Sequence, residues 1–269
     1  MAKIIRKETL APGNLLIEIR DKNITARAKA GQFVILKTDE RGERIPLSLG
    51  EINTSKGTIT IVYQIVGKTT EKLSKIGAGD DIKDLIGPLG KPSEIKKYGR
   101  VICVGGGIGV APLYPLAQAL KEAGNYVSVI EGAKNKDYLI FEDKFLAVTD
   151  ELHISTDDGS KGRAGFVTEA LQEILQKAKF DLVFTIGPPV MMRAVCQVTK
   201  EFEIPTIVSL NPIMVDGTGM CGSCRVCVKG ETLFGCVDGP EFDGHQVDWD
   251  LLISRQKMYL EEEKIAKEK

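Results

Sequence analysis

The chain has 269 residues, 43% of them hydrophobic and 27% charged, and a formal net charge of −1. This composition is typical of a globular protein with a substantial core, while the near-neutral charge excludes a general electrostatic attraction to nucleic acid or an anionic membrane. No apolar run approaches the length of a membrane span and the first ten residues are too charged for a signal peptide, so we expect a cytoplasmic protein with reduced cysteines.

Residues 1–97 are predicted to form an antiparallel β-barrel domain. Four segments rich in Ile and Val, separated by glycine-containing turn signals, predict strands at 3–10, 14–20, 32–38 and 58–67. Short strands at this spacing are typical of a small barrel. One helix is expected at 70–76, capped by Thr69 or Thr70, and the Gly-Pro pair at 87–88 is predicted to be a turn.

Two segments of this domain, RIPLSL at 44–49 and GKTTEKL at 67–73, carry polar groups that are candidates for ligand binding. The second combines a glycine, two hydroxyl groups and the N–H groups of a helix start, which can hold a pyrophosphate. From the residues alone, a surface role for Arg44 and simple capping by Thr69 and Thr70 remain alternatives.

Residues 98–211 are predicted to form a nucleotide-binding domain of the α/β class. Beyond a boundary near residues 96–99, five apolar strands alternate with four helices, one of which is expected to run through 137–148. Strands that alternate with helices of about three turns indicate a doubly wound parallel sheet.

Two loops of this α/β domain are predicted to bind a nicotinamide nucleotide. GGGIGVAP at 105–112 follows the first strand and opens a helix, the context in which glycine-rich turns bind dinucleotide phosphates. Val110 replaces the last glycine of the GxGxxG pattern, so a plain tight turn remains an alternative. GPPVMM at 187–192 follows the fourth strand, at the edge where open α/β sheets bind ligands. The predicted residues are Gly105, Gly106, Gly107, Gly109, Pro112, Gly187, Pro188 and Met191.

Three acidic residues near the ends of the second and third strands favour NAD over NADP. Glu131 is predicted to accept a hydrogen bond from the adenosine ribose. Asp157 and Asp158 would repel a 2′-phosphate, although Lys161 and Arg163 oppose that effect. NAD(H) is therefore the expected nucleotide.

A cysteine-rich loop is expected to hold a metal centre. Cys221, Cys224 and Cys236 follow Asp216 at the spacing of a plant-type [2Fe–2S] loop whose first cysteine is replaced by a carboxylate. A carboxylate has the formal charge of a thiolate but is a harder donor, so we predict the same centre with an altered potential. Cys227 is then a spare thiol.

Three alternatives to this ligand set remain open within the predicted cluster subdomain, residues 212–248. The four cysteines resemble the start of a [4Fe–4S] run, but the short final spacing and the closing proline are missing. Four thiols also suit structural zinc, although zinc ribbons offer two separated pairs. A disulfide is the third alternative, and a reducing compartment disfavours it.

The sequence predicts no catalytic acid or base. His153 falls in a predicted strand and His245 in a loop, each without a partner pattern, while Cys103 and Cys196 are expected to be small buried side chains. Residues 249–269 are dense in charge and are expected to form a solvated or partner-facing helical tail.

A small barrel, a nucleotide-binding α/β domain and an iron–sulfur loop together form an electron path, and over nearly its full length the chain resembles the ferredoxin–NADP reductase superfamily. It is similar in particular to two groups that add a [2Fe–2S] loop. One contains the electron-transfer subunits of class B dihydroorotate dehydrogenase, which use four cysteines. The other contains the small subunits of NADH-dependent reduced ferredoxin:NADP oxidoreductase, also known as sulfide dehydrogenase subunits, and Asp216 makes the chain more similar to these.

The resemblance implies that the barrel binds FAD. In the family, the segment matching 44–48 holds the isoalloxazine and the phosphates, and the segment matching 62–70 holds the rest of the cofactor. The positions carried over are Arg44, Pro46, Leu47, Ser48, Val62, Tyr63, Gln64, Gly67, Thr69 and Thr70.

The resemblance also implies the reaction and the partner. Hydride moves between NAD(H) and FAD and single electrons pass to the [2Fe–2S] cluster, so that the cofactors carry the chemistry. The expected partner is a larger flavin and [4Fe–4S] subunit that binds NADP, in a heterodimer that reaches ferredoxin by electron bifurcation. An electron-transfer subunit of dihydroorotate dehydrogenase is the alternative, and a zinc-stabilised nucleotide-sensing module is an alternative of another class.

Overall fold

The computed structural model describes residues 2–40 and 42–268, so that Met1, Arg41 and Lys269 of the predicted domain ranges lie outside it. Two seven-stranded sheets and one two-stranded sheet organise the chain. The first large sheet forms the amino-terminal domain and the second forms the nucleotide-binding domain, so the predicted division into a β part and an α/β part is present.

The amino-terminal domain is a near-closed antiparallel barrel. Its elements are β1 (Ala2–Ala11), β2 (Asn14–Arg20), α1 (Lys22–Thr25), β3 (Phe33–Lys37), β4 (Arg44–Asn53), β5 (Thr58–Gln64), α2 (Lys68–Leu73), β6 (Asp81–Ile82) and β7 (Asp84–Leu89). The strands lie in the order β6-β1-β2-β5-β4-β3-β7. Ile17 and Ile19 of β2 stand opposite Ile61 and Ile59 of β5, and all four are buried in the barrel core because alternate residues of a strand share one face.

Two local predictions in the barrel are wrong. Helix α2 begins at Lys68, and its N-cap is Gly67 rather than a threonine, because the Thr70 hydroxyl turns back to accept the N–H groups of Val66 and Gly67 at 3.0 Å. The Gly-Pro pair at 87–88 lies inside strand β7 instead of a turn, joined by a cis peptide bond.

The second domain is a doubly wound α/β sheet, as predicted. Its elements are β8 (Arg100–Gly106), α3 (Val110–Glu122), β9 (Tyr126–Ala133), α4 (Glu142–Val148), β10 (Glu151–Thr156), β11 (Arg163–Ala164), α5 (Val167–Lys177), β12 (Leu182–Ile186), α6 (Pro189–Glu201) and β13 (Thr206–Ser209). β9, β10 and β11 lie to one side of β8, and β12 and β13 lie to the other. The topological switch point, where open α/β sheets bind ligands, is therefore between β8 and β12.

Helices cover both faces of this sheet. α3 and Phe145 of α4 pack with the apolar residues on one face, while α5 and α6 pack on the other. The helix predicted through 137–148 begins only at Glu142, because Phe141 adopts a left-handed conformation with φ 66° that interrupts it.

The carboxyl-terminal part is less separate than predicted. It contains the hairpin β14 (Arg225–Val228) and β15 (Glu231–Phe234), the short strand β16 (Glu241–Asp243), and helices α7 (Trp249–Gln256) and α8 (Leu260–Glu268). β16 pairs antiparallel with β13 and so extends the nucleotide-domain sheet. Trp249 and Leu252 are buried against β14, so α7 is a packed helix and the expectation of a solvated tail holds only for α8.

Across residues 2–40 and 42–268, none of the helices is both long and apolar enough to cross a membrane.

Candidate functional site

A groove of about 640 Å³ lies where the barrel, the nucleotide domain and the carboxyl-terminal segment meet. Its barrel wall is built by the first half of β4 and the end of β5, which are consecutive in the sheet. Seven of the residues predicted to bind FAD line it, namely Pro46, Leu47, Ser48, Val62, Tyr63, Gln64 and Thr70.

Two polar atoms on the barrel wall have no partner within the described chain. The side-chain Oδ1 of Asn14 and the Oη of Tyr63 are buried and make no hydrogen bond there. Burial raises the pKa of Tyr63 to about 12, so its hydroxyl is protonated and can donate. Buried polar groups normally have partners. Two such groups on a largely apolar wall therefore fit a flat, mostly apolar ligand with polar edges, such as a flavin.

Three predicted FAD residues do not line the groove. Arg44 is exposed at the start of β4 and pairs with Asp84 at 3.0 Å. Thr69 is buried and its hydroxyl lies 3.4 Å from Glu43. Gly67 caps α2, and its N–H is already accepted by Thr70, so the helix start is partly satisfied before any phosphate arrives.

The opposite wall is built by the two predicted nucleotide loops. Gly106, Gly107, Gly109, Pro112, Gly187 and Pro188 line the groove, whereas Gly105 and Met191 lie behind it. A Cβ atom on Gly109 would collide with the carbonyl oxygen of Ile186, and one on Gly106 would collide with the Met191 sulfur. These glycines let the loops after β8 and β12 touch. Gly107, at φ +55°, has no atom within 4 Å of the position of a Cβ, so its backbone is open to a ligand in the groove.

Glu131 is not a groove residue, which corrects the prediction that it contacts a ribose. The side chain is 1% exposed, and its Oε1 accepts the N–H of Ile140 at 2.7 Å. Burial raises the pKa of Glu131 to about 8. The chain between β9 and α4 folds over this carboxyl group and shields it from the groove.

Asp157 and Asp158 are exposed in the turn after β10 but do not line the groove either. The N–H of Asp157 donates to the carbonyl of Ala133 at 3.0 Å, which ties this turn to the end of β9. Lys134 and Tyr138, which follow β9, occupy the groove wall instead. Neither residue is predicted from the sequence, because nothing in their spacing marks them as ligand contacts.

The cysteine loop brings its predicted ligands together only in part. Cys224 and Cys236 are buried with their sulfur atoms 3.2 Å apart, whereas Cys221 is exposed. Hydrogen bonds from Ser223 hold the pKa of Cys221 below its usual range. No group of three or more His, Cys, Asp or Glu side chains within 2–40 and 42–268 is arranged to hold a metal ion. The chemistry of three thiols and a carboxylate on a glycine-rich loop nevertheless fits an iron–sulfur centre.

The Asp216 carboxylate is fixed by its own loop. One oxygen, Oδ2, accepts hydrogen bonds from the N–H and hydroxyl of Thr218 at 3.0 and 2.7 Å and from the N–H of Met220 at 3.2 Å. These bonds hold the pKa of Asp216 below its usual range and keep it ionised. Cys227 lies instead in β14 between the inward-facing Val226 and Val228.

The cluster loop and the groove share a wall. Cys224, Cys236 and Met214 pack on Phe33 and Ile35 of the barrel strand β3. The residues just before the loop that line the groove are Ser209, Leu210, Asn211, Pro212 and Met214. Pro212 also lines a smaller cavity of about 150 Å³ beside Cys221. Phe33 and Met214 therefore contact both the groove and the core that contains Cys224 and Cys236.

Comparisons with known proteins agree with this division. Residues 211–248 match the family described as the iron–sulfur cluster binding domain of dihydroorotate dehydrogenase B, and residues 103–197 match the oxidoreductase NAD-binding domain. A Thermotoga maritima relative, the dihydroorotate dehydrogenase B (NAD+) electron transfer subunit homolog, is 48% identical over 99% of this chain and 94% of its own length. An uncharacterized Clostridium beijerinckii protein from the adh 3′ region is 47% identical over 98% and 92%.

One solved structure is similar throughout. It comes from a study of flavin-based electron bifurcation by the NADH-dependent reduced ferredoxin-NADP oxidoreductase. The match has a TM-score of 0.95 and 47% identity, and covers 100% of this chain and 97% of the other.

Fold and site together define an electron-transfer oxidoreductase subunit with an NAD-binding domain and an iron–sulfur binding domain. The chain belongs to the family of dihydroorotate dehydrogenase B electron transfer subunits and their homologues. The predictions of an oxidoreductase subunit, of a nicotinamide-nucleotide domain and of an iron–sulfur loop are confirmed.

Proposed function

We propose that this chain is the small electron-transfer subunit of an NADH-dependent reduced ferredoxin:NADP oxidoreductase. In that role it moves electrons between NAD(H), FAD and a [2Fe–2S] cluster. The observation that carries the proposal is the continuous groove, because the barrel, both nucleotide loops and the segment before the cysteines contribute to its lining.

The groove residues hold and orient the flavin. Pro46, Leu47 and Val62 would offer an apolar surface to the ring system, and the unpartnered polar atoms of Asn14 and Tyr63 would hydrogen-bond to its polar edge. Bound there, the cofactors supply hydride exchange with the nicotinamide and one-electron exchange with the cluster. The protein contributes position and exclusion of water, which accords with the absence of any acid–base constellation in the predicted site.

The nucleotide binds on the opposite wall. The touching loops after β8 and β12 place Gly107 and Pro188 across the groove from β4 and β5. A nicotinamide held by these loops would face a flavin held by β4 and β5, the arrangement that direct hydride transfer requires. The side chains of Lys134 and Tyr138, which line the same groove, would contact the adenosine half.

The cluster ligands are Asp216, Cys221, Cys224 and Cys236. Support comes from the buried sulfur pair of Cys224 and Cys236 and from the ionised, hydrogen-bonded carboxylate of Asp216. Cys221 is exposed in this structure and would have to approach the other three donors to hold the cluster.

The partner is a larger flavin and [4Fe–4S] subunit that binds NADP, and the heterodimer reaches ferredoxin through it by electron bifurcation. The similarity to the ferredoxin-NADP oxidoreductase structure over the whole chain supports this assignment. Exposed apolar side chains on and beside the cluster loop, Val215, Met220 and Val237, accord with a partner surface there. Six free cysteines accord with a reducing cytoplasm.

The second candidate function is electron transfer to a dihydroorotate dehydrogenase catalytic subunit. The names of the Thermotoga relative and of the matched iron–sulfur family favour it. Affinity purification of the chain from its own cells separates the two functions. A copurifying dihydroorotate-oxidising subunit would replace the first proposal, and an NADP-binding iron–sulfur subunit would support it.

The first experiment measures iron, acid-labile sulfide, zinc and flavin in anaerobically purified protein, with an EPR spectrum after reduction by NADH. We expect about two irons and two sulfides per FAD and a [2Fe–2S] signal. Zinc without flavin would instead indicate a nucleotide-sensing module. Flavin reduction that is much faster with NADPH than with NADH would overturn the assignment of NAD(H).

A further inference from the structure

Two arginine side chains beside the cluster loop have no acidic partner. Arg225 is the first residue of β14, and Arg255 lies in the last turn of α7. Neither forms an ion pair within residues 2–40 and 42–268. Arg44, whose charge also reaches Asp216, differs because Asp84 neutralises it at 3.0 Å. The charges of these two arginines are therefore not neutralised by an ion pair within the described residues.

Both guanidinium groups lie on the segment between the first two predicted cysteine ligands. Nη2 of Arg255 donates to the carbonyl oxygen of Ser223 at 3.2 Å. Nη1 of Arg225 lies 3.0 Å from the point that a Cβ atom on Gly222 would occupy. Together with Cys221 the two arginines line the cavity of about 150 Å³. Their positive charges consequently face the side of the loop that carries the exposed thiol.

Positive charge beside the loop matters because the expected metal centre is negatively charged. A [2Fe–2S] centre held by three thiolates and one carboxylate is anionic when oxidised, and the electron that it gains adds one more negative charge. The potential of an iron–sulfur centre depends on net charge, hydrogen bonding and solvent exposure around it. Asp238, the acidic side chain closest in sequence to Cys236, accepts the N–H of Phe234 at 2.8 Å and forms an ion pair with neither arginine.

We propose that Arg225 and Arg255 are positioning residues for electron transfer, which raise the reduction potential of the cluster bound by the 216–236 loop. The inference rests on the proposed function, since it presupposes that this loop binds the cluster. One electron leaves the reduced flavin and one is gained by the cluster. A higher cluster potential therefore draws electrons out of the groove toward the partner surface.

The test is an EPR-monitored redox titration of the cluster-loaded full chain and of charge variants. Arg255→Gln keeps a hydrogen-bond donor for the Ser223 carbonyl and removes the charge, whereas Arg255→Lys keeps the charge. We expect Arg255→Gln to shift the one-electron equilibrium about tenfold toward the oxidised cluster, which is about 59 mV in midpoint potential. Arg255→Lys should retain most of the wild-type value.

Lys229→Gln is the matched control. It makes the same charge change in the same hairpin, but at the turn that joins β14 to β15 and so about 13 Å along the strand from Arg225. Its midpoint potential should equal that of the wild type. Arg225→Gln is the second test variant, because Arg225 is exposed and its replacement leaves the packing of α7 intact.

A measurement on the unmodified protein keeps the inference testable if a variant fails to fold. Raising the salt from about 0.01 M to 1 M shortens the Debye length from about 30 Å to 3 Å. The wild-type potential should fall with salt, because the arginines are screened, and that of the Arg225→Gln, Arg255→Gln double variant should change less.

The possible failures are distinguishable. Protein that contains no [2Fe–2S] cluster at all would refute the proposed function itself. A cluster whose potential is the same in Arg225→Gln, Arg255→Gln and the wild type would refute only the role of the arginines. An equal drop in Arg255→Gln and Arg255→Lys would show that the charge of Arg255 does not set the potential, because Arg255→Lys keeps that charge.

Discussion

The groove and the cluster loop are built in different ways, although they share a wall. The groove is formed by the ends of regular strands, and the contact between the loops after β8 and β12 fixes its nucleotide side. The loop from Asp216 to Cys221 is irregular and only one of its residues, Gly217, is buried; it is followed by the buried pair Cys224 and Cys236. Packing therefore preforms the groove, whereas the loop depends on local hydrogen bonds and on its metal centre.

Replacing single ligands should produce the largest change and affects the loop alone. We expect Asp216→Ala to lose the cluster or to alter its EPR spectrum, because a donor and the acceptor for three loop hydrogen bonds disappear together. Cys227→Ala should keep a wild-type cluster. An unchanged spectrum in Asp216→Ala together with cluster loss in Cys227→Ala would show that the ligand assignment is wrong.

Removing the metal should loosen the cluster loop and leave the groove unchanged. After chelation of iron, amide hydrogen exchange at residues 216–223 should become faster, while exchange at 101–106 in β8 should stay slow. Mass spectrometry of peptides from both segments measures this. Equal acceleration in both segments would show that the groove also depends on the cluster.

Gly109→Ala tests whether the contact between the loops after β8 and β12 shapes the groove. The added Cβ would collide with the Ile186 carbonyl, so the loops must separate, at a cost of roughly 1–3 kcal/mol in the free energy of unfolding. NADH affinity should fall strongly while iron content stays constant. Gly77→Ala is the control, because its Cβ would meet no atom closer than the Asp80 carboxylate at 3.6 Å. Unchanged NADH binding in Gly109→Ala would show that loop contact does not shape the groove.

The buried carboxyl group of Glu131 should make the stability of the nucleotide domain depend on pH. Burial raises its pKa from 4.5 to about 8, so the folded state favours the protonated carboxyl group. Stability from this group is complete below pH 4.5 and is lost as the pH rises toward 8, by up to roughly 5 kcal/mol at about 1.4 kcal/mol per pKa unit. Glu131→Gln should remove this loss.

Denaturant unfolding at pH 5 and pH 8.5 measures the effect of Glu131→Gln. The exposed Glu122→Gln is the control variant and should keep the wild-type pH dependence. If Glu131→Gln also unfolds more easily at the higher pH by the full wild-type amount, the buried carboxyl group is not the cause.

The smallest effect is expected where the two large domains meet. Lys144 of α4 pairs with Glu51 of β4 at 2.6 Å and lies 4.4 Å from the ring centre of Phe141. Both charged side chains are 37% exposed, so Lys144→Gln should cost at most about 1 kcal/mol. Thermal unfolding with a Glu51→Gln, Lys144→Gln double-mutant cycle checks it. A coupling well above that value would mean that the pair fixes the domain orientation.

Much of the fold could be predicted because it follows from periodicity. Alternating Ile and Val residues define β2 and β5, and the change to strands and helices after residue 100 defines the second domain. The glycines at 106, 107 and 109 and the motif at 46–48 also line the groove, whereas Gly105 lies behind it. These features are local, so the sequence contains enough information to place them.

Other assignments were wrong because they depend on which distant segment of the chain covers a side chain or pairs with it. Glu131 stands near a strand end, as predicted, yet the chain through Ile140 covers it. Arg44 forms an ion pair with Asp84, which is 40 residues distant in sequence. Lys134 and Tyr138 carry no recognisable motif and reach the groove only because the segment after β9 turns toward it.

The sequence by itself determined the class of each domain, the two loops on the nucleotide side of the groove and the iron–sulfur segment at 211–248, because each is encoded by neighbouring residues with a fixed period or spacing. Tertiary structure alone decided that β16 joins the nucleotide sheet, that the segment before the cysteines walls the groove, and that Arg225 and Arg255 meet beside Cys221. Such contacts join residues far apart in the chain, and burial and charge at those places are properties of the packed molecule rather than of any segment.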